Sequence, residues 1–203
     1  RFKTYVKKKK EATFYTISQN SRGFVLEDLE IRKRINESEI LDNYNDDFEK
    51  AHDVINQCID EGKRGLILLH GIPGSGKTSY IKHLITKSGK RKIVYIPPHL
   101  AASIASPNFI SFVKSDLADS VLVIEDAEQI LLSRENIESH KEAVPNILNM
   151  TDGILADALN ILIICTFNTD MENIDSALRR KGRMMLQYKF EELSVAKSNY
   201  LTE

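Results

Sequence analysis

Short, continuously apolar segments alternate with amphipathic ones along most of this chain, and the alternation restricts the folds it can adopt. The apolar segments predict strands at residues 65–70, 92–96, 121–124, 161–166 and 184–190. Apolar residues recur at helical spacing around them, which predicts helices at residues 46–61, 77–87, 109–117 and 138–150. Strands without a polar face are covered on both sides. We therefore expect an α/β fold, with helices on both faces of a parallel sheet.

Two further strands are predicted ahead of this alternating region. Residues 13–19 and 24–31 have the composition of strands, and Asn-Ser-Arg-Gly at residues 20–23 is typical of a hairpin turn. Residues 1–11 are basic and include Lys7 to Lys10, which is typical of a solvated linker and less often of a phosphate- or lipid-binding patch. We expect residues 1–45 to form a linker and a small β-hairpin that precedes the sheet.

A glycine-rich loop separates the strand at residues 65–70 from the helix that follows. Its sequence, Gly-Ile-Pro-Gly-Ser-Gly-Lys-Thr at residues 71–78, matches the phosphate-binding Walker A pattern at every fixed position. Glycines let backbone N–H groups converge on an anion, and the following helix adds its positive dipole end. Lys77 would contact the β- and γ-phosphates, and the Thr78 hydroxyl would bind Mg²⁺. The residues expected to bind nucleotide are Gly71, Pro73, Gly74, Ser75, Gly76, Lys77, Thr78 and the adjacent Ser79.

Polar side chains follow two other predicted strands. Glu125 and Asp126 come directly after the apolar run at residues 121–124 and form a candidate Walker B pair. By position, we assign Glu125 to Mg²⁺ and Asp126 to activation of the attacking water, with Glu128 as a less favoured substitute for Asp126. Asn168 follows the strand at residues 161–166 and would orient that water. Taken alone, the acidic pair also fits a strand that ends in a polar turn, and Asn168 also fits a turn cap.

In this order, the glycine-rich loop, the acidic pair, Asn168 and residues 175–183 resemble the AAA ATPases of the AAA+ class. Residues 175–183, Asp-Ser-Ala-Leu-Arg-Arg-Lys-Gly-Arg, are similar to the family's second region of homology, although such a cluster of cations alone would suit a solvated helix end. Residues 146–153 resemble its Leu-Asn-x-x-Asp-Gly stretch. The Glu-Asp order and Leu-Ser-Arg at residues 132–134 are most similar to the mitochondrial AAA translocases of the Rieske iron–sulfur protein and their bacterial relatives.

The resemblance implies a three-layer αβα P-loop fold with a five-stranded parallel sheet. It implies an ATPase core at residues 46–190 and the start of a truncated helical lid at residues 191–203. The implied ligands are ATP or ADP and Mg²⁺. Arg180 and Arg183 correspond to arginine fingers that act on the nucleotide of a neighbouring subunit, and Tyr44 would lie near the adenine. A homo-oligomeric ring, such as a hexamer, would couple ATP hydrolysis to the remodelling or translocation of a macromolecule, and a protein substrate is expected.

One departure from the family pattern concerns the segment after the second strand of the core. Many AAA rings that thread proteins carry an aromatic–hydrophobic–Gly loop there, but residues 100–106 are Leu-Ala-Ala-Ser-Ile-Ala-Ser. The sequence therefore does not predict that an unfolded chain is gripped in a central pore. Two other functions stay open, namely a small-molecule or nucleotide kinase, which shares the loop pattern, and a regulatory module that binds ATP with little turnover.

Composition limits the kinds of partner and the cellular compartment that are expected for this chain. The formal net charge is −1, so no overall field favours nucleic acid or a membrane surface. The sequence contains no apolar run long enough to predict a spanning helix. Only two cysteines are present and they form no Cys-x-x-Cys pair, so neither a zinc site nor a disulfide framework is expected. A reducing compartment, the cytoplasm, is the expected location.

Overall fold

The computed structural model describes residues 13–30, 40, 42–86, 91–132, 143–180 and 182–202. Its strands are β1 (Thr13–Asn20), β2 (Gly23–Glu30), β3 (Gly65–Gly71), β4 (Lys92–Ile96), β5 (Ser120–Ile124), β6 (Leu162–Phe167) and β7 (Met184–Phe190). All seven belong to one sheet, in the order β2-β1-β4-β5-β6-β3-β7. Every neighbouring pair is parallel except β1 and β2, which are antiparallel.

Helices cover both faces of this sheet. They are α1 (Phe48–Asp60), α2 (Lys77–Thr86), α3 (Pro98–Ala101), α4 (Pro107–Asp116), α5 (Glu128–Leu131), α6 (Ala143–Thr151), α7 (Ile154–Leu159) and α8 (Val195–Thr202). Helices α1 and α2 pack on one face and α3 to α7 on the other. Among the described residues, no helix combines the length and the apolar character needed to cross a membrane.

The central strands are apolar on both sides, as the sequence predicts. On β5, for example, Val121 and Val123 face the layer of α1 and α2, whereas Leu122 and Ile124 face the opposite layer. Burial on both faces is the reason why these strands lack polar alternation, and it confirms the expected α/β fold with a largely parallel sheet. The basic residues 1–11 and the first part of the predicted helix at 138–150 lie outside the described residues.

The number of strands and the place of the hairpin correct the sequence-based expectation. The antiparallel pair of β1 and β2 is present, but β1 also pairs in parallel with β4, with Tyr15 opposite Val94. In the described part of the chain the sheet therefore has seven strands, not five, and the hairpin is part of it. Ile17 is only 1% exposed, and Phe24 lies edge-on to Phe109 at 5.4 Å between ring centroids. These apolar side chains extend the core past β4, which would otherwise be an exposed edge.

The amino ends of the strands are tied together by Arg91, which is only 7% exposed. Its guanidinium donates to the carbonyl oxygens of Lys63 at 2.7 Å and Ser120 at 3.0 Å, and also to that of Asn160. Its Nε lies 3.5 Å from a carboxylate oxygen of Asp119. One side chain thus satisfies carbonyl groups from three separate connections, on the edge of the sheet opposite the phosphate-loop motif.

Candidate functional site

The carboxyl ends of the parallel strands bring the sequence motifs to one edge of the sheet. β3 ends at Gly71, and α2 begins at Lys77 after a tight loop. A Cβ atom on Gly71 would lie 2.1 Å from the Phe190 carbonyl oxygen, and one on Gly76 would lie 2.8 Å from Cε1 of Tyr44. Both glycines also have positive φ, +148° and +95°. Close packing as well as backbone conformation therefore requires glycine at these two positions.

Lys77 is held inside the loop that precedes it. Its ammonium group donates to the carbonyl oxygens of Gly71 and Ile72, both at 2.8 Å, and to the Ser75 hydroxyl at 3.3 Å. Burial lowers the pKa of Lys77, while the carboxylates of Glu128 and Asp126 oppose that shift. A phosphate in the loop would compete with the carbonyl groups for these donors and would offer a full negative charge instead of a dipole.

Glu125 and Asp126 are adjacent in sequence but occupy different environments. One carboxylate oxygen of Glu125 is buried and has no hydrogen-bond partner among the described residues. Asp126 is exposed and adopts a positive φ of +50°. Its backbone N–H is 3.4 Å from the Thr166 hydroxyl oxygen, and its carboxylate accepts from Nδ2 of Asn168 at 3.2 Å. The structure thus joins Asp126 to Asn168, the two groups assigned to the attacking water.

Glu128 and Thr166 hold these groups in place. The carboxylate of Glu128 accepts a hydrogen bond from the Asn168 backbone N–H. The Thr166 carbonyl accepts from the Ala127 backbone N–H at 2.9 Å, so β6 supports the chain that leaves β5. Sequence reasoning missed Thr166. Its only signal was a single hydroxyl near the tip of an apolar strand.

Two cavities flank the glycine-rich loop. The smaller, about 340 Å³, is lined by polar groups that include Lys77, Thr78, Asp126, Thr166 and Asn168. The larger, about 730 Å³, lies on the other side and is bounded by loop residues, by Ile40, Asn43 and Tyr44, and by residues 191–193 after β7. Pro73, Gly74, Gly76 and Ser79 line both cavities, and Ser75 lines the larger. A polyphosphate bound along the loop would therefore extend from the smaller, polar cavity to the larger one.

Tyr44 lines the larger cavity but is mostly buried in an aromatic cluster. Its hydroxyl donates to the Gly76 carbonyl oxygen at 2.9 Å. Its ring lies 4.5 Å from that of Phe48 and 5.6 Å from that of Phe190, between centroids. Burial raises the pKa of Tyr44 to about 12. The side chain thus braces the loop, and only a small part of it is available to a ligand.

The two candidate arginine fingers lie away from both cavities. Arg183 pairs with Asp152 at 2.8 Å and donates to the Ala177 carbonyl at 3.3 Å. Arg180 is exposed. Neither residue lines the cavities beside the loop. The structure therefore does not bring these cations to the candidate site of their own chain.

The oxygen groups at this edge fit Mg²⁺ in part. Thr78 lines the smaller cavity, whereas Glu125 lines neither cavity but has a buried carboxylate oxygen without a described partner. No cluster of three or more His, Cys, Asp or Glu side chains that could hold a metal occurs within the described ranges. Mg²⁺ is commonly held by one or two protein oxygens together with phosphate oxygens and water, so this sparse donor set suits it.

Comparison with known proteins gives one family. Residues 67–192 match the ATPase family associated with various cellular activities, AAA. A cell division cycle ATPase of Plasmodium falciparum is 31% identical over 124 residues, which are 58% of this chain and 10% of that protein. The proteins CdcH of Halobacterium salinarum and SAV of Sulfolobus acidocaldarius are 29% and 32% identical over the same share of this chain and 16% of their own lengths. The chain thus spans a small part of these relatives, and by the family match it belongs to the AAA ATPases.

Proposed function

We propose that this chain binds ATP with Mg²⁺ and hydrolyses it to ADP and phosphate at the edge formed by β3, β5 and β6. Membership of the AAA family supports ATP binding and hydrolysis in general terms. The observation that carries the proposal is the smaller cavity, in which Lys77 faces the linked side chains of Asp126 and Asn168. A phosphate-binding cation and a candidate water-activating pair thereby share one chamber.

Each part of the loop has a defined task in this proposal. Backbone N–H groups of Gly74, Ser75 and Gly76 and of the start of α2 bind the phosphates, and Lys77 exchanges its loop carbonyls for the β- and γ-phosphate oxygens. The polyphosphate then runs along the loop, with the γ-phosphate in the smaller cavity and the base in the larger. Tyr44 supports Gly76 from behind and forms part of the wall beside the base.

The chemical step is assigned to the polar tips of β5 and β6. Thr78 and Glu125 would hold Mg²⁺, which when bound supplies positive charge against the phosphate oxygens. Asn168 orients Asp126, whose carboxylate accepts a proton from the attacking water. The water oxygen then bonds to the γ-phosphorus, and the bond from that phosphorus to the β–γ bridging oxygen breaks. Glu128 holds the Asn168 backbone and is a positioning residue here.

The whole-protein activity is proposed on the same family basis. A homo-oligomeric ring, such as a hexamer, would let Arg180 and Arg183 contact the nucleotide of a neighbouring subunit. The similarity to the Rieske-protein translocases favours remodelling or translocation of a macromolecule, with a protein as the expected substrate. Leu100 and Ile104 in the segment after β4 are buried, which gives no support to a role of that segment in threading an unfolded chain.

Calorimetric titration with Mg-ATP tests the phosphate-loop assignment. Lys77→Ala should lose at least about 1.5–3 kcal/mol of binding free energy, the usual contribution of a hydrogen bond to a charged group. Lys82→Ala is the matched control, because Lys82 lies on the exposed side of the same helix. Equal affinity in the Lys77 variant and in wild type would remove the basis of the proposal.

A further inference from the structure

Part of the wall of the larger cavity is formed by a segment whose side chains are mostly exposed rather than packed in the hydrophobic core. Residues 191–193 follow β7 and line the cavity opposite the glycine-rich loop. Glu191 and Glu192 are exposed, and Leu193 is half-buried. Little apolar packing therefore determines where this stretch lies, so polar contacts have to define its position.

Asn45, which lies in the connection before α1, supplies two of those contacts. Its Nδ2 donates to the Glu192 carbonyl oxygen at 3.0 Å, and its Oδ1 accepts from the Ser194 backbone N–H at 2.9 Å. A planar amide that uses both its donor and its acceptor on one backbone segment fixes the distance and the orientation of that segment. Asn45 itself does not line the cavity, so it acts through residues 192–194.

The residues directly before and after Asn45 in sequence contact two further segments of the chain. Tyr44 donates to the Gly76 carbonyl at the start of α2, as described above. Asp46 lies 3.2 Å from the Lys197 ammonium on α8. Three consecutive residues thus contact the phosphate loop, the chain after β7 and the helix that follows it.

We propose that Asn45 is a positioning residue for nucleotide binding, because it fixes residues 191–193 as the wall against which the base is bound. The inference rests on the proposed function. A wall that is already in place spares the nucleotide the entropy cost of ordering it. The phosphates, by contrast, are bound by the loop, which Asn45 does not touch. Loss of Asn45 therefore weakens binding of the base and sugar while leaving binding of the phosphates unchanged.

Calorimetry with two ligands separates these effects on the same protein. Asn45→Ala should bind Mg-ATP about 5- to 30-fold more weakly than wild type, the range expected for two lost hydrogen bonds at a partly exposed site. It should bind inorganic tripolyphosphate as wild type does. Asn45→Asp keeps the acceptor for Ser194 and loses the donor to Glu192, so it should give an intermediate affinity for Mg-ATP.

The control is Asn20→Ala, which removes an equally local contact, from the Asn20 side chain to the Arg22 backbone N–H in the hairpin turn. Mg-ATP affinity should not change in that variant. If Asn45→Ala does not fold, the comparison is made with Asn45→Asp, which preserves the size of the side chain. Wild-type Mg-ATP affinity in the Asn45 variants, or an equal loss for both ligands, would overturn the inference. If wild type bound neither ligand, the proposed function would fail first.

Discussion

Asp126 has a backbone conformation that aspartate and asparagine adopt more readily than most residues. Its φ of +50° turns the chain sharply where β5 ends. The turn leaves Asp126 exposed at the smaller cavity, whereas a carboxylate oxygen of the preceding Glu125 is buried. Unusual backbone geometry of this kind is more common at functional sites than elsewhere. Two adjacent carboxylates thereby acquire different surroundings, which suits the different roles we assign to them.

Substitution of the acidic residues distinguishes these roles. Asp126→Asn should bind Mg-ATP normally and hydrolyse it about 10²-fold or more slowly, the usual effect of losing a general base. Glu125→Gln should instead raise the Mg²⁺ concentration required for activity. Steady-state phosphate release over a Mg²⁺ titration measures both effects.

Glu128→Gln is the control for this pair, because Glu128 binds the Asn168 backbone rather than its side chain. We expect a smaller loss of turnover than in Asp126→Asn. Normal hydrolysis by Asp126→Asn together with an inactive Glu128→Gln would transfer the role of base to Glu128. Tight binding without turnover in wild type would favour the regulatory alternative.

Substitution of Arg91 should lower the stability of the protein without affecting the hydrolysis of ATP. Arg91→Met would leave the carbonyls of Lys63, Ser120 and Asn160 without their shared donor. Since each buried polar group left unsatisfied costs about 1–3 kcal/mol, the free energy of unfolding should fall by at least about 2 kcal/mol. Urea denaturation measures the change, with Arg179→Met at an exposed position as the control. An Arg91 variant as stable as wild type would contradict the structural role assigned to Arg91 at the amino ends of the strands.

Among the elements, the β1–β2 hairpin most changes the interpretation of the chain. Residues 13–19 and 24–31 have the composition of strands, which predicts the two strands but not their partners. Besides β2, β1 pairs with β4, more than seventy residues later, where Thr16 pairs with Tyr95. No local sequence pattern encodes such a pairing, because it depends on which apolar edge of the completed sheet remains uncovered. The central strands, by contrast, were predictable because continuous burial leaves a direct mark on their composition.

Ile17→Ala tests whether the hairpin belongs to the ATPase core. Ile17 is 1% exposed and packs in the same cluster as residues of β3 to β6. The substitution should lower the free energy of unfolding by about 2–4 kcal/mol, as for other large-to-small changes in cores. It should do so within one cooperative transition. Leu29→Ala, at a position 39% exposed on β2, should have little effect. Two separate transitions would show that the hairpin unfolds independently.

The candidate finger Arg183 already has a partner in its own chain. Its pair with Asp152 leaves the two side chains 28% and 43% exposed. Partly exposed ion pairs contribute at most about 1 kcal/mol, so transfer of Arg183 to a neighbouring nucleotide would cost little. Assembly and catalysis would then be coupled through a single side chain.

Mixing of variants tests this shared site. At protein concentrations where the chain assembles, Arg183→Ala should bind ATP almost normally but hydrolyse it about 10³-fold or more slowly, as when an arginine finger is lost. Mixing it with Lys77→Ala should restore part of the turnover, because each variant supplies the group that the other lacks. Wild-type activity per chain should also rise with protein concentration. Absence of rescue, with activity independent of concentration, would favour a site complete within one chain.

Sequence patterns identify the side chains assigned to the candidate site more readily than the residues that hold other segments in position. The glycine-rich loop, the acidic pair and Asn168 are recognisable because their chemistry demands particular residue types at fixed spacing. Thr166, Asn45 and Arg91 are not, because each acts through backbone groups of distant segments. Hydrogen bonds to backbone carry no requirement on the partner's side chain, so they leave no pattern in the sequence.

The position of β3 in the sheet has a consequence for synthesis of the chain. β3 carries the phosphate loop at its end, yet its two neighbours, β6 and β7, come much later in the sequence. At about 5–20 residues per second, a ribosome needs about 6–24 s to proceed from Gly71 to Phe190. Until β6 has been made, a strand that is apolar on both faces has neither of its native neighbours, and it lacks one of them until β7 has been made. The larger cavity, which residues 191–193 help to bound, can therefore be complete only after translation has passed β7.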